Sequence, residues 1–163
     1  MGNVSTCLWF DGQAEQAARF YTSLVKNSRV LDIVPFGEAG PGEKGSVMVV
    51  NFELDGQRFI GLNGGPQFTF DEAISIHVTC DSQQEIDDLW ATLTADGGAE
   101  GPCGWLKDRY GLSWQIDSRA LHEMITSPDQ EGAARATRAM LGMKKLDVQA
   151  LQDAFDGRGA IVN

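Results

Sequence analysis

One histidine lies in a strand-like run together with the residue types that acid–base or binding chemistry requires. His77 alternates with Ser75 and Thr79, and a second polar alternation follows over residues 113–117. Because successive strand residues point to opposite faces, we expect each set to share one face. A histidine there can act as a general base, a donor to a carbonyl or phenolate, or a lone metal ligand. The simplest interpretation is a hydrogen-bonded structural histidine, since no adjacent carboxylate is visible to orient the ring.

The three cysteines, Cys7, Cys80 and Cys103, are odd in number and lack a CxxC spacing. This argues against both a disulfide framework and a structural zinc. Cys7 and Cys80 fall in apolar strand-like runs, where a buried thiol is inert. Cys7 would become a nucleophile only with a base beside it, and His77 is the candidate. The second histidine, His122, is expected at the surface of the helical C-terminal part.

The net charge of the chain argues against two classes of partner. The 163 residues include 13 basic and 23 acidic side chains, giving a formal net charge of −10. Phosphate backbones and anionic membrane surfaces are repelled, and no basic stripe offsets this. No apolar run is long enough to cross a bilayer, and no basic segment followed by an apolar one opens the chain. We therefore expect a soluble, cytoplasmic protein with no nucleic-acid or membrane partner.

The first 63 residues predict a strand, a helix and three further strands. Asp11-Gly12 ends the first strand, and apolar residues then recur at helical spacing over residues 13–26. Asp55-Gly56 marks a hairpin between the last two strands. A glycine-rich loop covers residues 37–45. The predicted strands cover residues 5–10, 29–36, 47–54 and 58–63.

A similar pattern begins again at residue 64. A strand over residues 74–80 is followed by a helix that Ser82 and Glu85 cap and that ends at Gly97-Gly98, then by two short strands at 103–107 and 112–117. A shift of 69 residues lays one half on the other. We therefore predict a duplicated α+β fold, with modules over 1–63 and 64–118. An unrelated ferredoxin-like α+β domain is the alternative.

Residues 119–163 predict a helical extension. Asp129 begins one amphipathic segment that includes Met140 and Leu141, and Asp147 caps a last helix. Helices this short need a surface to pack on.

Four segments of the chain carry recognisable motifs: CLWFDGQAEQAARFY (7–21), LNGGP (62–66), Asp108-x-x-Gly111-x-x-Trp114 and AMLGMKKLD (139–147). Together they resemble PhnB-like proteins of the vicinal oxygen chelate superfamily, which contains glyoxalases, bleomycin-resistance proteins and dioxygenases. The branch is often labelled 3-demethylubiquinone methyltransferase-like. The resemblance implies paired βαβββ modules that form a curved mixed sheet, usual assembly as a homodimer, and a cup that holds a divalent metal in the enzymatic branches.

The positions that the resemblance assigns to metal ligands hold residues of the wrong type. They fall on Thr6 (with Cys7 as its neighbour), Gly61, Ser75 and Gln115. Divalent ions prefer carboxylates, imidazoles or thiolates over such neutral oxygens. We therefore expect no metal and no cofactor. The polar cup itself remains a default ligand site. The predicted ligand-binding residues are Thr6, Cys7, Gly61, Asn63, Ser75, His77, Trp105 and Gln115.

Three functions stay open on this basis. The first is metal-independent binding of a small apolar or aromatic ligand in the cup, with Trp105 as a possible wall. The second is a lyase, isomerase or dioxygenase that uses His77, as its catalytic residue, or a weak metal. The third is an assembly role for the tail helices. Methyl transfer has little support, because the loop Gly37–Gly42 is followed by a strand and not by the helix that a cofactor-binding loop requires.

Overall fold

A computed structural model describes residues 4–158 of the chain. Its contacts divide into two compact units, the first ending at Phe70 and the second beginning at Asp71. The first unit contains β1 (Thr6–Phe10), α1 (Ala14–Leu24), β2 (Arg29–Pro35), β3 (Val47–Leu54) and β4 (Gln57–Asn63). The second contains β5 (Ser75–Cys80), α2 (Gln83–Thr94), β6 (Ala99–Glu100), β7 (Trp105–Lys107), β8 (Ser113–Ser118), α3 (Arg119–Ile125), α4 (Gln130–Leu141) and α5 (Val148–Phe155).

The two units confirm the duplicated α+β fold. Their strand orders are β1-β4-β3-β2 and β5-β8-β7-β6, so the first strand of each module pairs with its last. In both modules that pairing is parallel and the others are antiparallel. The predicted 69-residue shift carries Thr6 onto Ser75 and Ala14 onto Gln83, which begin the equivalent strands and helices. Along the first strand of each module the buried faces are offset by one residue, because Leu8 and Phe10 are buried in β1 whereas Cys80 is buried in β5. The sequence did not predict β6, because two residues give no periodicity to detect.

In the first unit, alternation along β3 decides which side of the sheet is buried. Val50, Phe52 and Leu54 are buried, while the residues between them are half-exposed. Tyr21 of α1 is buried and its ring lies 6.4 Å from that of Phe52. The helix therefore covers this face of the sheet, as the predicted alternation requires.

The predicted hairpin turn and the predicted start of α2 are confirmed, whereas α2 ends at Thr94 and not at Gly97-Gly98. Asp55 and Gly56 both have positive φ, +46° and +80°, which is the type I′ turn that the hairpin needs. The Ser82 hydroxyl accepts a hydrogen bond from the Glu85 amide at 3.2 Å. The Glu85 carboxylate accepts from the amide of Asp81 in return, which completes the cap one residue earlier than the usual capping box.

The C-terminal helices belong to the second unit. Asp129 and Asp147 cap α4 and α5 as predicted. Residues 143–148 lie along the module: the carbonyls of Met143 and Lys144 accept hydrogen bonds from the β6–β7 connection, and the Gln83 side chain bridges the backbone of Leu146 and Val148. Leu141, which we expected on the packed side of its helix, is 62% exposed.

None of the helices within residues 4–158 has the length and apolarity required to cross a membrane.

Candidate functional site

The polar residues that alternate along β5 and β8 lie on one face of the second unit's sheet, which we call the open face. The buried side chains of β8, Trp114 and Ile116, point the other way. The predicted sharing of a face within each strand is confirmed. The open face carries Ser75, His77 and Thr79 of β5, Ser113, Gln115 and Asp117 of β8, and Trp105 and Lys107 of β7.

His77 has a carboxylate partner on this face. Its Nε2 lies 3.1 Å from Oδ2 of Asp117, and the two side chains are 46% and 32% exposed. The expectation that no carboxylate orients the ring is therefore wrong. The partner is 40 residues away in sequence, and the parallel pairing of β5 with β8 brings it near. When the neutral ring donates its Nε2 proton to Asp117, Nδ1 keeps a lone pair that can accept a proton.

Two of the predicted metal-ligand positions bind each other. Gln115 Nε2 donates to Ser75 Oγ at 2.8 Å. Both side chains are neutral, and their hydrogen bond orients the amide along the sheet. The strand pairing places His77, Gln115 and Trp105 in one row across β5, β8 and β7. At the usual strand spacing, His77 and Trp105 are about 10 Å apart along this row.

Trp105 lines a cavity of about 450 Å³ at the outer end of that row. Ala99, Pro102 and Leu106 supply other apolar walls, and Lys107 lies beside Ala99 in the strand pairing. This volume is within the range of small-molecule sites, roughly 300–1,000 Å³. Trp105 is the residue that the sequence analysis predicts as a wall of a pocket.

In the first unit, the predicted site residues do not share one face. Thr6, Gly61 and Asn63 lie on the side of the sheet that α1 covers; a Cβ on Gly61 would lie 3.3 Å from that of Ala14. The assumption that the polar positions of β4 point into the cup is therefore wrong. Asn63 instead accepts a hydrogen bond from the amide of Ala14 and donates to the carbonyl of Val47.

Cys7 lies on the opposite side of the first sheet from these residues and is exposed, so its expected burial is wrong. Partial desolvation nevertheless raises the pKa of its thiol, which lowers the thiolate fraction at neutral pH and weakens it as a nucleophile. Cys80 is buried as expected, and His122 is exposed on α3.

The residues present do not fit the metal site of the enzymatic branches. Thr6 and Gly61 lie on the helix side of the first sheet, while Ser75 and Gln115 offer only neutral oxygens that already contact each other. Among residues 4–158 no three side chains of histidine, cysteine, aspartate or glutamate converge as ligands. His77 and Asp117 are a pair, and the described part of the chain adds no third donor of this kind.

A second cavity, of about 470 Å³, lies in the first unit and had no signal in the sequence. Its walls include Asp11, Glu15 and Asn63, together with Phe36 and Gly42 of the glycine-rich loop. This loop joins β2 to β3. A Cβ on Gly42 would overlap the Phe36 ring, so this glycine makes room for an aromatic side chain of its own loop.

The comparisons with known proteins agree with this architecture. A family model described as 3-demethylubiquinone-9 3-methyltransferase matches residues 2–117. A putative 3-demethylubiquinone-9 3-methyltransferase, PhnB protein, from Bacillus cereus is 37% identical, over 72% of this chain and 99% of that chain, with a TM-score of 0.64. No curated protein matches the chain.

Two more distant structures show the fold alone. Protein PA1353 from Pseudomonas aeruginosa is 20% identical, covering 72% of this chain and 98% of that chain, with a TM-score of 0.60. The fosfomycin resistance protein FosX from Listeria monocytogenes is 14% identical, covering 76% and 97%, with a TM-score of 0.50. The family model ends at Asp117, so the helices α3 to α5 lie beyond its match.

Proposed function

The chain belongs to the PhnB-like family of the vicinal oxygen chelate superfamily, and we propose that it binds a small apolar or aromatic molecule without a divalent metal. The ligand lies on the open face of the second unit's sheet. The observation that carries the proposal is the single row that joins the apolar cavity at Trp105 to Gln115 and His77. An apolar pocket with a few convergent polar groups is the usual form of such a site.

In this arrangement the apolar part of the ligand packs against Trp105, and its polar group extends toward His77. The hydrogen bond with Asp117 fixes which ring nitrogen faces the ligand side. The hydrogen bond with Ser75 does the same for the Gln115 amide. The other predicted ligand-binding residues lie in the first unit. Thr6, Gly61 and Asn63 have structural surroundings that argue against contact with a ligand, and Cys7 is not part of this proposal.

Replacing Trp105 with alanine is expected to weaken binding of a neutral aromatic probe, 2-naphthalenemethanol, by about fivefold or more, because a buried aromatic contact of this kind is worth about 1–3 kcal/mol. Isothermal titration calorimetry measures the change. Phe155→Ala, which removes a half-buried ring of the same unit away from the cavity, is the control and should leave the affinity within about twofold. Equal affinity of the wild type and Trp105→Ala for the probe would contradict the proposal. Unchanged affinity in His77→Ala would contradict the role assigned to the histidine.

Elemental analysis of protein purified without chelators tests whether the protein binds a divalent metal. Stoichiometric nickel, zinc, iron or manganese that His77→Ala removes would overturn the metal-free proposal. The support for the metal-free proposal is the chemistry of the donor set described above, in which neutral oxygens and a glycine occupy the ligand positions.

Proton transfer, as in an isomerase or lyase, is a second candidate, which the contact between His77 and Asp117 favours. A histidine held by a carboxylate is the usual form of a general base. Exchange of the α-protons of an aryl-substituted ketone in D₂O, followed by NMR and abolished in His77→Ala, would distinguish catalysis from binding alone. Methyl transfer is not part of the proposal.

Assembly as a homodimer in the cytoplasm completes the proposal. Half-exposed apolar side chains on the side of the first sheet away from α1, among them Trp9, Ile60 and Leu62, support the dimer. Sedimentation velocity measures it directly, and a monomer at micromolar concentration would contradict it.

A further inference from the structure

Among the described residues that line the cavity beside Trp105, one is positively charged. Lys107 projects from the open face of β7, where the strand pairing puts it opposite Ala99 and Ser113. Because it is held between two neighbouring strands, the backbone of Lys107 is fixed relative to the indole two residues earlier. The small side chain of Ala99 leaves space beside the ammonium group.

The partner of Lys107 is a carboxylate from outside the sheet. Glu72 lies in the connection that precedes β5, and its Oε1 is 2.6 Å from the lysine Nζ. The hydrogen bond from Lys107 lowers the pKa of the Glu72 carboxyl, so Glu72 is an anion at neutral pH. The glutamate side chain is 65% exposed and the lysine 38%, and a pair so accessible to water contributes little to stability.

A second carboxylate of the cavity wall, Glu100, is already engaged. One of its oxygens accepts from the indole of Trp90 at 2.9 Å, and the other lies 3.2 Å from the Lys144 ammonium. It is therefore not available to neutralise Lys107. Among the lining residues that the structure describes, Lys107 supplies the positive charge and Glu72 alone pairs with it.

We propose that the cavity binds an aromatic carboxylate, whose ring packs against Trp105 and whose carboxylate replaces that of Glu72 on Lys107. Glu72 is then an internal competitor, seated where the charged group of the ligand binds. The exchange costs little free energy, because one exposed carboxylate replaces another on the same cation and the Glu72 carboxylate is then hydrated. This inference rests on the proposed function, since it uses the same cavity, and it adds the charge of the ligand.

A pair of probes that share the naphthalene ring tests the charge separately from the ring. 2-Naphthoate carries the carboxylate, and 2-naphthalenemethanol is its neutral counterpart. Calorimetric titrations at neutral pH and about 0.15 M salt limit the repulsion from the protein's distant carboxylates, because the Debye length is then about 8 Å.

Removing the competitor is expected to strengthen binding of the anion. Glu72→Gln should raise the affinity for 2-naphthoate by about threefold or more and leave that for 2-naphthalenemethanol unchanged. Lys107→Met should lower the affinity for 2-naphthoate by about tenfold and spare the alcohol, whereas Lys107→Arg, which keeps the charge, should retain the preference for the anion. Glu38→Gln is the matched control: Glu38 forms an exposed ion pair of the same 2.6 Å length with Lys44 and is not among the residues that line this cavity, so its loss should change neither affinity.

The two levels of the inference fail in different ways. If both probes bind, both are lost in Trp105→Ala, and neither responds to Glu72→Gln or Lys107→Met, the cavity is the ligand site but the assigned charge is wrong. If Glu72→Gln weakens 2-naphthoate binding, Glu72 is not a competitor and the proposal is overturned. If neither probe binds the wild-type protein, the cavity is not an aromatic site and both levels are overturned. Near-UV circular dichroism of each variant confirms that the loss of binding does not come from unfolding.

Discussion

Replacing Asp108 with alanine is expected to lower the free energy of unfolding by about 3–5 kcal/mol, a large effect for one side chain. Asp108 is only 2% exposed. Its Oδ1 accepts hydrogen bonds from the amides of Tyr110 and Leu112 at 2.8 and 3.1 Å, and its Oδ2 accepts from the indole of Trp114 at 2.9 Å. Alanine would leave these donors without the oxygens that satisfy them, and the hydrogen bonds from Leu112 and Trp114 are buried.

Urea denaturation followed by far-UV circular dichroism measures this loss. Asp108→Asn should cost less, because its carbonyl oxygen can still accept from the two amides while its NH₂ group faces the Trp114 indole. Asp32→Ala removes an exposed carboxylate that accepts one hydrogen bond, from Asn51 at 2.8 Å, and should change stability by less than about 1 kcal/mol. A loss of less than about 1 kcal/mol in Asp108→Ala would contradict the assigned role.

This carboxylate explains one of the family motifs. Asp108-x-x-Gly111-x-x-Trp114 is part of the resemblance to PhnB-like proteins, and each fixed residue of the motif stabilises the local structure. Gly111 has φ of +84° in the turn that the Asp108 carboxylate organises, and Trp114 is fully buried in the core of the second unit. The motif therefore identifies how the last hairpin folds, and it contributes no group to the open face.

The repeat could be predicted from the sequence because its signals are local. Alternation along β3, helical spacing along α1 and α2, and the turn at Asp55-Gly56 each depend on residues within a few positions of one another. Comparing the two halves then supplied the order of elements. The length of β6, only two residues, is below what such patterns can detect.

The candidate site could be predicted only in part, because it depends on which strands pair and which face a helix covers. Alternation placed Gln115 and Asp117 on one face of β8, but only the register with β5 brings Asp117 to His77. On β4, the polarity of Asn63 predicted the wrong face of the sheet. Asn63 lies on the helix-covered face because its amide satisfies the first turn of α1, a backbone requirement that polarity alone does not reveal.

Gly104 joins the sheet, the cavity wall and the C-terminal extension through its backbone. It precedes Trp105 and has φ of +81°. Its amide donates to the carbonyl of Lys144 at 2.7 Å, and its carbonyl accepts from the amide of Ile116 at 2.8 Å. A Cβ at this position would lie 2.8 Å from the carbonyl oxygen of Ile116. Since that oxygen belongs to the central strand β8, neither group can move aside without breaking the sheet.

Gly104→Ala is therefore expected to lower the free energy of unfolding by about 3 kcal/mol or more, and to weaken aromatic binding as well by displacing Trp105. Gly111→Ala is the matched control within the same unit: its φ of +84° imposes a similar backbone strain, but a Cβ there meets nothing within 4 Å, so about 1 kcal/mol is expected. The difference between the two variants measures the steric overlap with Ile116 alone. Equal losses in urea denaturation would show that backbone strain accounts for the whole effect, and that the close approach of β7 to β8 does not hold Trp105 in place.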